Sequence, residues 1–278
     1  MSSILVPIDF SENSLIVIKF AASLMDKRQG ELILLHVSEP IGNLSANTQS
    51  IREHISENLG AEHLIQLWSN EVKGNCRTIL KEGPVAETIL KTAKEVNASM
   101  IVMGTKGAKS TLDRFIGSNA SHVATNSEIP VLVIPESMPY LKISKIVIGV
   151  DPNIEYDQTL AWLSESLLQN TFDITLFSAG SPTIEDDMKH YQKRLTGIIH
   201  QHAPNCNVNE KVVTTVDTVA SLDGFVKDLD ADLLVLTTHH RGVFERIFDP
   251  GLTRKFTLAS DIPILAIPMR KVPIYFFG

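Results

Sequence analysis

Short, fully apolar runs recur along the chain, separated by stretches whose apolar residues fall three or four apart. Ile4 to Ile8 is the first such run. Continuous apolar strands of this kind suit a parallel sheet covered on both faces. Ser11 is a good N-cap, and Leu15, Ile18, Ala22 and Met25 then follow at helical spacing until Gly30. Leu32 to Val37 predicts a second strand, and Ile51, Ile55, Leu59, Leu64 and Leu67 an amphipathic helix. Arg77 to Leu80 reads as a third strand. Gly83-Pro84 opens the next helix, with Pro84 near N1 and Val85, Ile89, Ala93 and Val96 facing inward. Met100 to Met103 is a fourth strand, a helix starts near Ser118, and Val131 to Ile134 is a fifth strand between Pro130 and Pro135. The order β-α-β-α-β-α-β-α-β predicts a doubly wound α/β domain with right-handed crossovers.

The pattern then repeats. Ile4 to Asp9 matches Ile146 to Asp151, Ser99 to Met103 matches Asp232 to Leu236, and Ile129 to Pro135 matches Ile262 to Pro268. Ordered matches of this kind indicate duplication. The seam lies near Ser137 to Leu141, which predicts two tandem domains, 1–136 and 143–270, each a five-stranded parallel sheet flanked by helices. The length of 278 residues agrees with two domains of ordinary size.

Composition narrows the function classes. Hydrophobic residues make up 44% and charged residues 21%, which excludes disorder and collagen-like repeats. A net charge of −7 argues against a general nucleic-acid binder. Apolar runs fall short of a membrane helix, since Lys19 interrupts the best candidate. The two cysteines, Cys76 and Cys206, read as thiols in a reducing compartment, and the N-terminus lacks the basic and apolar regions of a signal peptide. The expectation is a cytoplasmic protein, with neither nucleic acid nor membrane as partner.

In open parallel sheets, ligands bind beyond the carboxyl ends of the strands, where the strand order reverses. After strand four the chain reads Met103-Gly104-Thr105-Lys106-Gly107, and then Gly117-Ser118 at the mouth of a helix. The glycines let a ligand approach the main chain, and the helix start supplies free N–H donors with a positive dipole end. Together these make an anion site suited to phosphates. Pro7-Ile8-Asp9 after strand one adds a carboxylate able to accept from a ribose hydroxyl, and Val37 at strand two can cover an adenine face. Lys106, Lys109 and Arg114 form a small basic cluster beside the loop.

The spacing Gly-x2-Gly-x9-Gly-Ser, the opening Val6 to Ser11, Leu35-His36-Val37 and the ending Ile129 to Val133 together resemble the universal stress protein family, in both repeats. The resemblance implies a Rossmann-like strand order 3-2-1-4-5 and pairing through fifth strands. It implies that Asp9, with Pro7 and Ile8, holds adenine or ribose and that Val37 contacts the base. It implies that Met103, Gly104, Lys106 and Gly107 line the phosphate side and that Gly117, Ser118, Asn119 and Ala120 cradle the phosphates of ATP, accompanied by Mg2+. The second repeat departs from this pattern: Thr237, His240 and Pro250 stand where Gly104, Gly107 and Gly117 stand in the first, although Asp151 matches Asp9. Added side chains and a lost N–H donor predict that repeat two binds ATP poorly or not at all and serves as the partner in an intramolecular pseudo-dimer, with an adenylate-like ligand of fewer phosphates or an unrelated apolar ligand as alternatives for its pocket. A further homodimer and a regulatory protein partner are open.

Metal ligation by His200, His202, His239 or His240 lacks supporting carboxylates and cysteines at known spacings. His36, between apolar neighbours, reads as a satisfied core residue. P-loop, dinucleotide-fold and hydrolase-elbow motifs are absent from the sequence. No general base is evident for activating a water on a terminal phosphate. The sequence therefore predicts a stress-response protein that binds ATP in repeat one and acts as a nucleotide-dependent regulator, with slow hydrolysis at most. The alternatives are a nucleotide-independent interaction scaffold and a weak ATPase.

Overall fold

The computed structural model describes residues 3–25, 30–38, 60–70, 72, 74–105, 116–136, 143–151, 156, 160, 163, 172–180, 185–215, 217–238, 247–248 and 262–268. In the N-terminal half, strands β1 (Ser3–Ile8), β2 (Glu31–Ser38), β3 (Cys76–Glu82), β4 (Met100–Gly104) and β5 (Val131–Ile134) alternate with helices. The helices are α1 (Glu12–Met25), α2 (60–70), α3 (Val85–Glu95) and α4 (Ser118–Asn126). The C-terminal half supplies β6 (Lys145–Gly149), β7 (Asp173–Gly180), α5 (Glu185–His202), β8 (Asn207–Thr214), α6 (Thr218–Leu229), β9 (Leu233–Thr237) and β10 (Ile264–Ile267).

The ten strands of the described residues lie in one sheet, in the order β3-β2-β1-β4-β5-β10-β9-β6-β7-β8. Each half is a parallel 3-2-1-4-5 sheet. The halves meet where β5 runs antiparallel to β10, with Val133 opposite Ile264 and Val131 opposite Ala266.

The inner strands are apolar along most of their length because both faces are covered, whereas β3 and β8, at the ends of the described sheet, carry charged residues. Ile4, Val6 and Ile8 of β1 point into one core with Val17, Ile18 and Phe20 of α1. Leu5 points into the other, with Ile89 of α3 and Val123 of α4. Both cores run across the junction: Leu132 and Leu265 share one, and Val133 and Ile264 share the other.

Local signals set the helix starts. Ser11 caps α1, since the Ser14 N–H bonds both the Ser11 carbonyl at 3.1 Å and its Oγ at 3.3 Å. Pro84 takes the N-cap of α3 rather than N1, at φ −60° and ψ 123°. Its extended conformation lets Gly83 donate to the Ser38 carbonyl at 3.0 Å, which ties the start of α3 to the end of β2. Gly83 sits at φ +149°, a region essentially reserved for glycine.

Cys76 and Cys206 are free thiols. Burial, with the Glu31 carboxylate adding to it, pushes Cys76 up to about 11, so it is protonated at neutral pH. Among the described residues no helix is long and apolar enough to cross a membrane.

Candidate functional site

In the N-terminal half the strand order reverses between β1 and β4, whose neighbours β2 and β5 lie on opposite sides. A cavity of about 390 Å³ opens beyond the carboxyl ends of these two strands. That volume falls in the ~300–1,000 Å³ range of small-molecule sites. Pro7, Ile8 and Asp9 reach it from β1, and Met103, Gly104 and Thr105 from β4. Gly117, Ser118, Asn119 and Ala120 reach it from the start of α4. Asn13 and Ser14 of α1 and Val85 and Ile89 of α3 complete the wall.

The start of α4 is the donor side of this cavity. Gly117 is the N-cap, at φ −62° and ψ 156°, and its side contributes no capping hydrogen bond. The Gly117 N–H is already engaged by the Thr105 carbonyl, which fixes the helix start against the end of β4. The first intrahelical bond runs from Ser121 N–H to the Gly117 carbonyl at 2.9 Å. The N–H groups of Ser118, Asn119 and Ala120 therefore have no intrahelical acceptor. No acidic side chain occupies this first turn to compete for them. Three converging donors at a positive helix end suit an anion.

Asp9 is held in place from its own loop. Its Oδ1 accepts from Ser11 N–H at 3.1 Å, Ser11 Oγ at 2.7 Å and Ser14 Oγ at 2.8 Å. The Asp9 N–H in turn donates to Ser14 Oγ at 3.2 Å. The next residue, Phe10, takes a left-handed φ of +61°. A non-glycine residue there costs about 1–2 kcal/mol. Ring packing holds it: Phe10 lies 4.6 Å from His36 and 5.3 Å, edge-on, from Trp68. His36 Nδ1 makes a 3.0 Å hydrogen bond with the Ile8 carbonyl, so the imidazole supports the loop and stays out of the cavity.

Nine residues singled out by sequence thus share one cavity: Pro7, Ile8, Asp9, Met103, Gly104, Gly117, Ser118, Asn119 and Ala120. Val37 is partly buried near the end of β2, on the same face as Val85, but does not line the cavity. Lys106 and Gly107 lie outside the described residues, as do Lys109, Arg114, His239, His240, Pro250 and Gly251. Sequence reading assigned Val85 and Ile89 only to a core face. Asn13, Ser14 and Thr105 carried no motif. Among the described residues no three metal-ligating side chains cluster.

The corresponding place in the C-terminal half is built differently. Tyr156 is fully buried, and its hydroxyl donates to the Gly149 carbonyl at 3.1 Å. The same hydroxyl accepts from the Asp151 N–H at 3.1 Å and lies 3.5 Å from Thr237 Oγ1. Burial pushes the phenol well above its ordinary range, so it remains protonated. Gly149 and Thr237 end β6 and β9, the pair at which this half reverses its strand order. The Tyr156 hydroxyl thus bridges the ends of these two strands.

Residues 1–135 match the family model described as the universal stress protein family. Universal stress protein Sll1654 of Synechocystis is 33% identical over 136 residues, covering 48% of this chain and 85% of that protein. Universal stress protein YxiE of Bacillus subtilis is 30% identical over 152 residues, covering 48% of this chain and 98% of that protein. A solved universal stress protein from Archaeoglobus fulgidus superposes over 97% of both chains with a TM-score of 0.69, at 14% identity, a likeness of fold. The cavity beyond β1 and β4, the helix start at Gly117 that borders it and these relatives agree that the chain belongs to the universal stress protein family.

Proposed function

We propose that the chain binds ATP in its N-terminal half and serves as a nucleotide-responsive regulator in the cytoplasm rather than as an efficient enzyme. The observation that carries this reading is the cavity at the β1/β4 switch point, with the free N–H groups of Ser118, Asn119 and Ala120 on one side. Val85 and Ile89 offer an apolar wall for a base, Asp9 an acceptor for a sugar, and the first turn of α4 a seat for phosphates. Asp9 is the only titratable side chain among the described lining residues, and its Oδ1 already accepts three hydrogen bonds. A water attacking a terminal phosphate would need a general base that these residues do not offer. Mg2+ fits as a companion of the triphosphate, because it is commonly held by phosphates and waters.

The chain is read as two units, 1–136 and 143–270, that form an intramolecular pseudo-dimer. The second unit takes no nucleotide, a reading supported by the Tyr156 hydroxyl between β6 and β9. Calorimetric titration of nucleotide-free protein with Mg-ATP is expected to give one site per chain. Asn119→Asp separates binding from folding. A carboxylate in the first turn of α4 stabilises the helix by about 0.3–1 kcal/mol. The same charge repels a triphosphate, so affinity should fall roughly tenfold or more while the melting temperature holds or rises. Unchanged affinity would reject the assigned phosphate seat. Absence of any binding at millimolar ATP would favour a nucleotide-independent scaffold.

A further inference from the structure

Among the described residues of the cavity wall, Asn13 is the one whose polar side chain has lost water and gained nothing. It is 4% exposed, and among the described residues neither its Nδ2 nor its Oδ1 has a hydrogen-bond partner. Its neighbours on the wall are satisfied: Ser14 Oγ bonds Asp9, and Asp9 bonds Ser11 as well. A buried amide without partners bears its full desolvation cost. Replacing such a group with an apolar one of the same shape is neutral or stabilising for a fold. Asn13 is therefore a poor choice for folding alone, and it lines the cavity.

The chemistry of the amide limits what can satisfy it. Oδ1 only accepts and Nδ2 only donates. A phosphate, which only accepts, would leave Oδ1 unmatched. Two adjacent hydroxyls, each able to donate and accept, match both atoms. The rest of the wall points the same way. The donors of α4 suit phosphates, and Val85 and Ile89 suit a base face. The remaining polar stretch, Asp9, Asn13 and Ser14, falls to the sugar. Turning the Asn13 amide toward a ligand breaks no existing hydrogen bond.

We propose that Asn13 recognises the vicinal diol of a ribonucleotide and makes the site selective for ribose over deoxyribose sugars. This proposal rests on the nucleotide-binding reading above. Wild-type protein is expected to bind ATP roughly tenfold or more tightly than 2′-deoxy-ATP or 3′-deoxy-ATP, because a site built to bond a hydroxyl rejects the analogue lacking it. Asn13→Leu should weaken ATP roughly tenfold, bring the three affinities together, and leave the ligand-free protein melting no lower than wild type. Asn13→Ala, which leaves space rather than bulk, should lose the same discrimination. Variants that keep both affinity and sugar discrimination would overturn the role of Asn13 while leaving nucleotide binding intact. So would a wild type indifferent to the sugar, or variants that change only the ATP/ITP ratio, which reads the base. A wild type that binds none of these nucleotides would overturn the proposal together with the reading it rests on.

Discussion

Ser14 and Tyr156 occupy matching places in the two halves, six positions after Ile8 and Val150, and do related work with different reach. Ser14 Oγ accepts from the Asp9 N–H at 3.2 Å, and the Tyr156 hydroxyl accepts from the Asp151 N–H at 3.1 Å. The small hydroxyl keeps the turn and leaves the space beyond β1 and β4 open. The phenol keeps the turn from a ring buried among Leu160, Leu163 and Leu195. Tyr156→Phe removes the bonds to Asp151 and Gly149 and should cost about 1–3 kcal/mol. Melting temperature should fall while the ATP stoichiometry stays at one, and a second site appearing would contradict the assignment. Half of this contrast was legible in the sequence. Thr237, His240 and Pro250, standing where the first repeat has glycines, set the two repeats apart in sequence. The tyrosine carries no motif, because its meaning lies in reaching two backbone groups across a fold. Asn13 escaped sequence reading for the same reason: an unpartnered amide is defined by what surrounds it.

At the scale of elements, the strands were readable because burial on both faces removes polar residues from them. β1, β2, β4 and β5 fall within about a residue of their apolar runs. β3 was harder to bound, since it lies at the end of the sheet and carries Arg77, Lys81 and Glu82 among its residues. The inward stripe of α3 was also read correctly, yet only as packing. An apolar helix face has the same spacing whether it meets a sheet or a ligand. Here Ile89 does both, standing in the core and on the cavity wall. The position of α3 depends on Gly83, where an added Cβ would meet Thr88 Oγ1 at 2.6 Å. Gly83→Ala should destabilise the protein by about 1–3 kcal/mol, measured by urea denaturation, and weaken ATP by shifting Val85 and Ile89. Loss of stability with unchanged affinity would remove α3 from the site.

Over the whole molecule, the junction is more than a strand pair. Ser121, in the same helix as the proposed phosphate seat, donates its hydroxyl to the carbonyl of buried Phe248. Phe248 and Ile247 share a core with Ala120 and Val123 of α4. With both cores continuous from one half to the other, separate melting of the halves would expose apolar surface on the remaining one. A single cooperative transition is expected, with calorimetric and van't Hoff enthalpies in agreement. ATP at 100 times its Kd should raise the stability of that one transition by about 2.7 kcal/mol. Two resolved transitions, of which ATP moves only one, would show that the halves are thermodynamically independent.

The antiparallel seam between β5 and β10 also bears on dilution. Two chains that meet through such strands come apart as their concentration falls, and any property of the pair fades with them. Here the partner strand is delivered by the same polypeptide, so the pairing of β5 with β10 does not depend on concentration. The seam uses up both fifth-strand edges, and the strands left at the ends of the described sheet, β3 and β8, carry Arg77, Lys81, Glu210 and Lys211. Charged side chains there discourage growth by further strand addition. A strand partner carried in the same chain keeps its place whatever becomes of its own loops, and the two halves already differ there, with Ser14 at the turn after β1 and Tyr156 at the turn after β6.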